Sequence, residues 1–280
     1  MELGIFGKTF RRPDSRATLE AVKALGLRCV QFNFESAGLP SMPEEVPSPI
    51  LDSIAAASRE TGVRLAALSA TFNMAHPDSM IRRKGLRRLR VVAEAAAHLQ
   101  VPMVTLCTGS RDTENMWRAH PENRSQQAWT DLLETMDEAM EISARTGVAL
   151  AIEPEPGNVV SDARRAYALS ESLQADNHLK IILDPANLLQ VGRLQRDVLD
   201  EAFDLLGDDL GIAHAKDRGD DDQTCALGRG IVDFDTFFGL LRAVGFEGPV
   251  IMHGFEENEA LESTRFARAK LREITVDALH

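Results

Sequence analysis

Several features that would point to other protein classes are scarce or missing. Cysteine is rare, and Cys29, Cys107 and Cys225 are an odd number at wide spacings. That excludes a disulfide framework and a CxxC metal pair, leaving reduced, mostly buried thiols as the expectation. Aromatic residues make up 5% of the chain, with 1 Tyr and 2 Trp, so the core must be built from Ala, Leu, Val and Ile. Positive charge is in deficit: the formal net charge is -12, a balance that repels a phosphate backbone unless basic residues cluster. The densest basic run, Arg82, Arg83, Lys84, Arg87, Arg88 and Arg90, has the spacing of a solvated helix face, and no nucleic-acid partner is expected. No stretch approaches the roughly 18 uninterrupted apolar residues of a membrane span. The opening MELGIFGKTF lacks the basic and apolar regions of a secretory leader, so the expectation is a cytoplasmic protein without a membrane partner.

What is present is a regular alternation. Short β-rich runs recur at LGIFG (3–7), RCVQFNF (28–34), RLAALSA (64–70), PMVTLCT (102–108), VALAIE (148–153), KIILD (180–184), GIAHAK (211–216) and PVIMHGF (249–255). Between them, segments such as SRATLEAVKAL and QQAWTDLLETMDEAMEISART carry apolar residues at helical spacing. Several helical segments stop at a glycine that leads into the next strand, as in ARTGVALAIE. Eight strand-helix units in 280 residues, against roughly 250 for a (β/α)8 barrel, predict one TIM barrel domain over 1–280. Glu35 to Ser48 and Gly109 to Ser125 read as long loops over the end of the barrel where such proteins carry their chemistry.

Polar residues interrupt the apolar runs at that end. In order they are Lys8, Asn33, Asn73 with His76, Thr108, Glu153 with Glu155, Asp184 with Asn187, His214 with Lys216, and His253. In VALAIEPEP, period-two alternation places Ala149, Ala151 and Glu153 on one face, which predicts an open interior beneath the carboxylate. Taken singly, Glu153 or Asp184 suits a salt bridge or a helix N-cap as well as a functional role, and His214 or His253 suits a satisfied core histidine. Together, at matching strand exits, they form an O2N2 donor set for Mn2+, Co2+, Mg2+ or Zn2+, and ligand type alone does not choose among these.

At AIEPE (151–155), LDPANL (183–188), HAKD (214–217) and GRGIVDFDTFFGLLRAVGFEGPVI (228–251) the chain resembles the xylose isomerase-like barrel superfamily, in its sugar phosphate isomerase/epimerase branch. The resemblance spans nearly the whole chain. It implies one metal ion held by Glu153, Asp184, His214 and His253. The last position departs from the family's carboxylate, and Glu256 and Glu257 are nearby alternatives. Asn187 stands where the family often has a histidine. No glycine-rich phosphate loop follows a strand, so a phosphorylated substrate has no support.

The reaction this implies is α-proton removal from a small sugar or polyol carbonyl compound through an ene-diolate. Glu153 and His253 are the expected catalytic groups, and Glu155, Asn187, Lys216 and Arg229, with Arg218 less so, the expected substrate contacts. A dehydratase on the same site, the multi-metal endonuclease arm of the superfamily and a barrel that binds metal or sugar without turnover are the competing readings. A homo-oligomer is compatible with all of them.

Overall fold

The structure is a computed structural model that describes residues 1–174 and 177–276. Eight parallel strands close into a ring: β1 Glu2–Phe6, β2 Cys29–Phe32, β3 Arg64–Ser69, β4 Met103–Cys107, β5 Ala149–Glu153, β6 Leu179–Leu183, β7 Leu210–Ala215 and β8 Pro249–Met252. Each lies within or overlaps one of the eight β-rich runs. The ring closes where β1 pairs in parallel with β8, Gly4 opposite Ile251. Helices cover the outside: α1 Ser15–Ala24, α2 Ser48–Thr61, α3 Ser79–His98, α4 Gln126–Thr146, α5 Ala163–Ser172, the short α6 Pro185–Leu188, α7 Gln195–Leu206, α8 Phe234–Ala243 and α9 Ala260–Val276. The glycine stops behave as the sequence indicates. Gly147 ends α4 at φ 69°, a conformation that a Cβ would strain, and turns the chain into β5. Among the described residues, no helix is long and apolar enough to cross a membrane.

The main core lies between the barrel and its helices, with Leu19, Ile54, Leu89, Leu132 and Phe237 fully buried. A second apolar cluster, Cys29, Ala66, Ala67, Ala151, Ile182, Ile212 and Ile251, fills the barrel itself. This corrects the expectation of an open interior beneath Glu153. Ala151 is small, but the isoleucines of β6, β7 and β8 occupy the space it leaves. The packing is tight enough that a Cβ on Gly4 would come within 2.5 Å of Cys29 Sγ and 2.8 Å of Ile251 Cδ1. Cys29 and Cys107 are buried free thiols and Cys225 is partly exposed.

The basic run on α3 is also not a uniformly solvated face. Arg82 is buried and reaches Asp131 on α4 at 3.3 Å and the His76 carbonyl at 2.8 Å. Asp131 is shared with the equally buried Arg111, whose Nη1 lies 2.5 Å from its Oδ2. Arg88 pairs with Glu44, leaving Arg83, Lys84, Arg87 and Arg90 facing solvent. One further element was not foreseen, a two-stranded antiparallel ribbon of Asp217–Arg218 and Thr224–Cys225 after β7. Asp217, fully buried, anchors it by accepting from the backbone amides of Gly228 and Gly230 at 2.9 and 3.0 Å.

Candidate metal centre and substrate cavity

Alternation along the strands sets the height of each side chain in the barrel. Ala151, Ile182, Ile212 and Ile251 belong to the apolar floor. Two residues further along each chain stand Glu153, Asp184, His214 and His253, which therefore project over that floor at the carboxyl end of the barrel. Oxygen or nitrogen atoms of these four side chains all lie within 4.8 Å of one another.

The hydrogen bonds show how the group is held. Glu153 Oε1 accepts from Asn187 Nδ2 at 2.9 Å and lies 3.1 Å from His214 Nδ1. The other ring nitrogen, His214 Nε2, is 2.9 Å from Gln31 Oε1, and an amide oxygen can only accept, so this nitrogen carries a proton. Gln31 in turn donates to Ser69 and Thr105, both at 3.3 Å. Asp184 divides its work between its two oxygens. Oδ1 caps α6 by accepting from the Ala186 amide at 2.9 Å, while Oδ2 faces Lys216 Nζ at 3.1 Å and His253 Nε2 at 3.2 Å. The N-cap role and the cluster role both hold, on different atoms. Lys216 Nζ also donates to Asn187 Oδ1 at 2.5 Å. The His214 and His253 ring centroids are 4.5 Å apart.

Charges packed this closely shift one another. Burial would raise the Glu153 carboxyl, but the charge and hydrogen bond of His214 outweigh it and hold the group ionised below its ordinary range. Burial acts on Asp184 in the same sense and is overcome by Lys216 and His253, which keep it well below the usual carboxylate value. For His214, burial favours the neutral ring while Glu153 favours the cation, and the net result is a raised value. His253 is pushed down by burial and by the charge of His214, so its ring is neutral at pH 7. Glu155 is pushed up to about 8 by burial and by Glu153. The donor set fits a divalent ion. It consists of two carboxylates and two imidazoles, three of them buried and His253 partly so. Bonds of about 2.1 Å require ligand atoms no more than roughly 4.2 Å apart, a modest contraction of the observed spacing.

Above the cluster opens a cavity of about 440 Å3. Glu153, Glu155, His214 and His253 line it, as do Lys8 and Asn33 from the predicted ring. The two long loops contribute as expected, Ser41 from the one after β2 and Met116 and Trp117 from the one after β4. That second loop is clipped to the β5 exit: Asn158 donates to the Met116 carbonyl at 3.0 Å and accepts from the Gly109 amide at 2.8 Å.

Other predicted residues do different work. Asn73 holds the Ser110 carbonyl at 2.8 Å, His76 Nδ1 accepts from the Asp78 amide, and Thr108 accepts from the Val160 amide. Arg229 does not line the cavity; its guanidinium pairs with Glu262 at 2.6 Å. Arg218 pairs with Asp222 at 2.8 Å. Neither alternative carboxylate joins the cluster, since Glu257 pairs with Arg12 and Glu256 forms a capping box with Glu259. Sequence reasoning missed Gln31, Ser69 and Thr105, which sit on the inward face one pleat below the strand exits. For Gln31 a signal existed, an amide in step with Asn33 inside the run RCVQFNF.

Comparison with known proteins places this geometry in context. A family model described as xylose isomerase-like TIM barrel matches residues 19–274. A ketose 3-epimerase of Arthrobacter globiformis is 35% identical over 102 residues, which is 36% of this chain and 32% of that protein. The match thus spans about a third of the relative's length. The crystal structure of the Escherichia coli 3-keto-D-glucoside 4-epimerase superposes with a TM-score of 0.77 at 18% identity, covering 96% of this chain and 99% of that one. That of the Clostridium cellulolyticum D-psicose 3-epimerase does so with a TM-score of 0.75 at 17% identity, covering 97% and 99%. At such identities the likeness is one of fold.

Proposed function

Because the chain belongs to the xylose isomerase-like TIM barrel family and gathers two carboxylates and two imidazoles at the barrel mouth, we propose that it is a divalent-metal-dependent isomerase or epimerase of a small sugar or sugar derivative. The observation that carries the reading is the convergence of Glu153, Asp184, His214 and His253 beside an open cavity. The partial match to a ketose 3-epimerase supports it.

The four residues would hold the ion, which when bound supplies Lewis-acid polarisation of the substrate carbonyl. Glu153, ionised within the cluster, accepts the α-proton. Asn187 fixes the orientation of that carboxylate. Lys216, buried against Asp184 and Asn187 and not itself lining the cavity, holds a positive charge behind the cluster that lowers the cost of negative charge developing on the substrate. Glu155, protonated up to about pH 8, can donate a hydrogen bond to a substrate hydroxyl. His253 stands where a second carboxylate would serve as the opposing base; its neutral ring gives a proton of its own to the opposite face of the carbanion, and exchange with solvent then takes the proton from Glu153 and restores the one on His253.

The same asymmetry favours one alternative, a metal-dependent dehydratase, in which a neutral imidazole opposite a carboxylate protonates a leaving hydroxyl. Product analysis separates the two. The test of the main reading is metal analysis of the purified protein beside Glu153→Gln and His253→Ala, with solvent deuterium exchange into a panel of ketoses and keto acids. Bound divalent metal, lost or weakened in the variants, and label at the α-carbon are expected. A metal-replete wild type that retains no ion sinks the proposal, and a metal-loaded protein that exchanges nothing leaves a binding barrel.

A further inference from the structure

The cavity over the cluster has a neighbour. Phe6, Lys8 and His253 line both it and a second hollow of about 410 Å3, so the two meet at these side chains. Each volume falls in the range of about 300–1,000 Å3 typical of small-molecule sites. The second hollow is bounded by Thr9, Thr224, Gly254, Phe255, Glu256 and Glu259. Phe255, with Phe6 at the junction, offers an aromatic surface to the C–H face of a sugar ring. Thr224, Glu256 and Glu259 offer a hydroxyl and two carboxylates to its hydroxyl groups. The carboxylates already satisfy backbone amides, Glu259 Oε2 accepting from the Glu256 amide at 3.0 Å, and each keeps further lone pairs.

The charge balance narrows the ligand. The lysine of this hollow, Lys8, is neutralised by Glu35 at 2.8 Å. Arg229 pairs with Glu262 at 2.6 Å and reaches Glu259 only at 4.0 Å. Two carboxylates against one paired lysine repel a phosphate or a carboxylate and accept an uncharged polyol.

We propose that the substrate is a neutral glycoside spanning both hollows, its carbonyl-bearing sugar over Glu153, Asp184, His214 and His253 and a second, uncharged sugar unit against Phe255, Thr224 and Glu259. This inference rests on the isomerase or epimerase reading above. It is tested with the full chain loaded with Mn2+ and four probes: D-fructose, D-fructose 6-phosphate, isomaltulose and turanose, the last two being glucosyl-fructoses of different linkage. Deuterium exchange gives kcat/KM for each, and calorimetry with the metal-free wild type gives Kd without turnover.

At least one disaccharide is expected to exceed D-fructose by about tenfold in both measures, with the phosphate below D-fructose. In Thr224→Trp, which fills the second hollow, and in Phe255→Ala, the ratio of disaccharide to D-fructose is expected to fall toward one, with metal content and far-ultraviolet circular dichroism confirming that each variant is folded. A preference for the phosphate, no gain from the second sugar, or a ratio unchanged in both variants overturns the proposal. Exchange of D-fructose without a disaccharide preference removes the two-unit substrate alone. Exchange of no sugar at all removes the parent reading as well.

Discussion

Replacing Gln31 with leucine tests whether the site is built from the second layer inward. His214 has both ring nitrogens committed, Nδ1 toward Glu153 at 3.1 Å and Nε2 to Gln31 at 2.9 Å. For His214 to ligate through Nδ1, the remaining proton must sit on Nε2, and Gln31 is the group that stabilises it there. Both residues line the cavity but are at most 5% exposed, and a leucine in place of the amide fills the position a substitute water would need. A buried donor left without a partner costs about 1–3 kcal/mol. Outer-layer partners of metal-bound histidine are worth about 10–100-fold in affinity, or about 1.4–2.7 kcal/mol. Gln31→Leu is therefore expected to weaken divalent metal binding by that factor, and Gln31→Glu, which keeps an acceptor, to retain most of it. Competition against a chelator of known affinity measures the change. A leucine variant that binds metal as tightly as wild type would refute the assignment of His214 and its tautomer.

Two further predictions concern the metal-free protein. Glu155 titrates at about 8 when folded and near 4.3 in an unfolded chain, so between those values the folded state binds more protons and stability falls as pH rises. Glu155→Gln should flatten the dependence of Tm on pH between roughly 5 and 8, and a slope equal to that of wild type would show that Glu155 is not the group responsible. Asp131→Ala should take from the buried Arg111 its carboxylate partner and leave Arg82 only the exposed Glu134, at a cost of about 3–5 kcal/mol and a Tm lower by roughly 10 °C. Metal affinity well below the transition should be unchanged; denaturant unfolding with less than 1 kcal/mol of difference (roughly the value of an exposed pair) would count against a buried network.

The barrel and most of its functional end were legible in the sequence because both are written in local periodicity. Alternation tells which residues of VALAIE or GIAHAK share a face, and a polar residue ending an apolar run, as in Asp184, needs no knowledge of its neighbours to stand out. Burial of Arg82 was not legible, since spacing on α3 marks a helix face but says nothing of Asp131, which lies 49 residues away on another helix. The same applies to Gln31, 183 residues from the histidine it orients, and to Arg229, whose partner Glu262 is on α9. The sequence by itself determined the eight strands, their order and the four side chains, Glu153, Asp184, His214 and His253, that stand at the ends of four of them. Only the tertiary structure decided which of those residues touch, that isoleucines close the floor beneath them, and that neither Glu256 nor Glu257 replaces His253. Those outcomes depend on the register of strands across a closed ring and on side chains brought together from distant elements, and neither leaves a periodic trace in the chain.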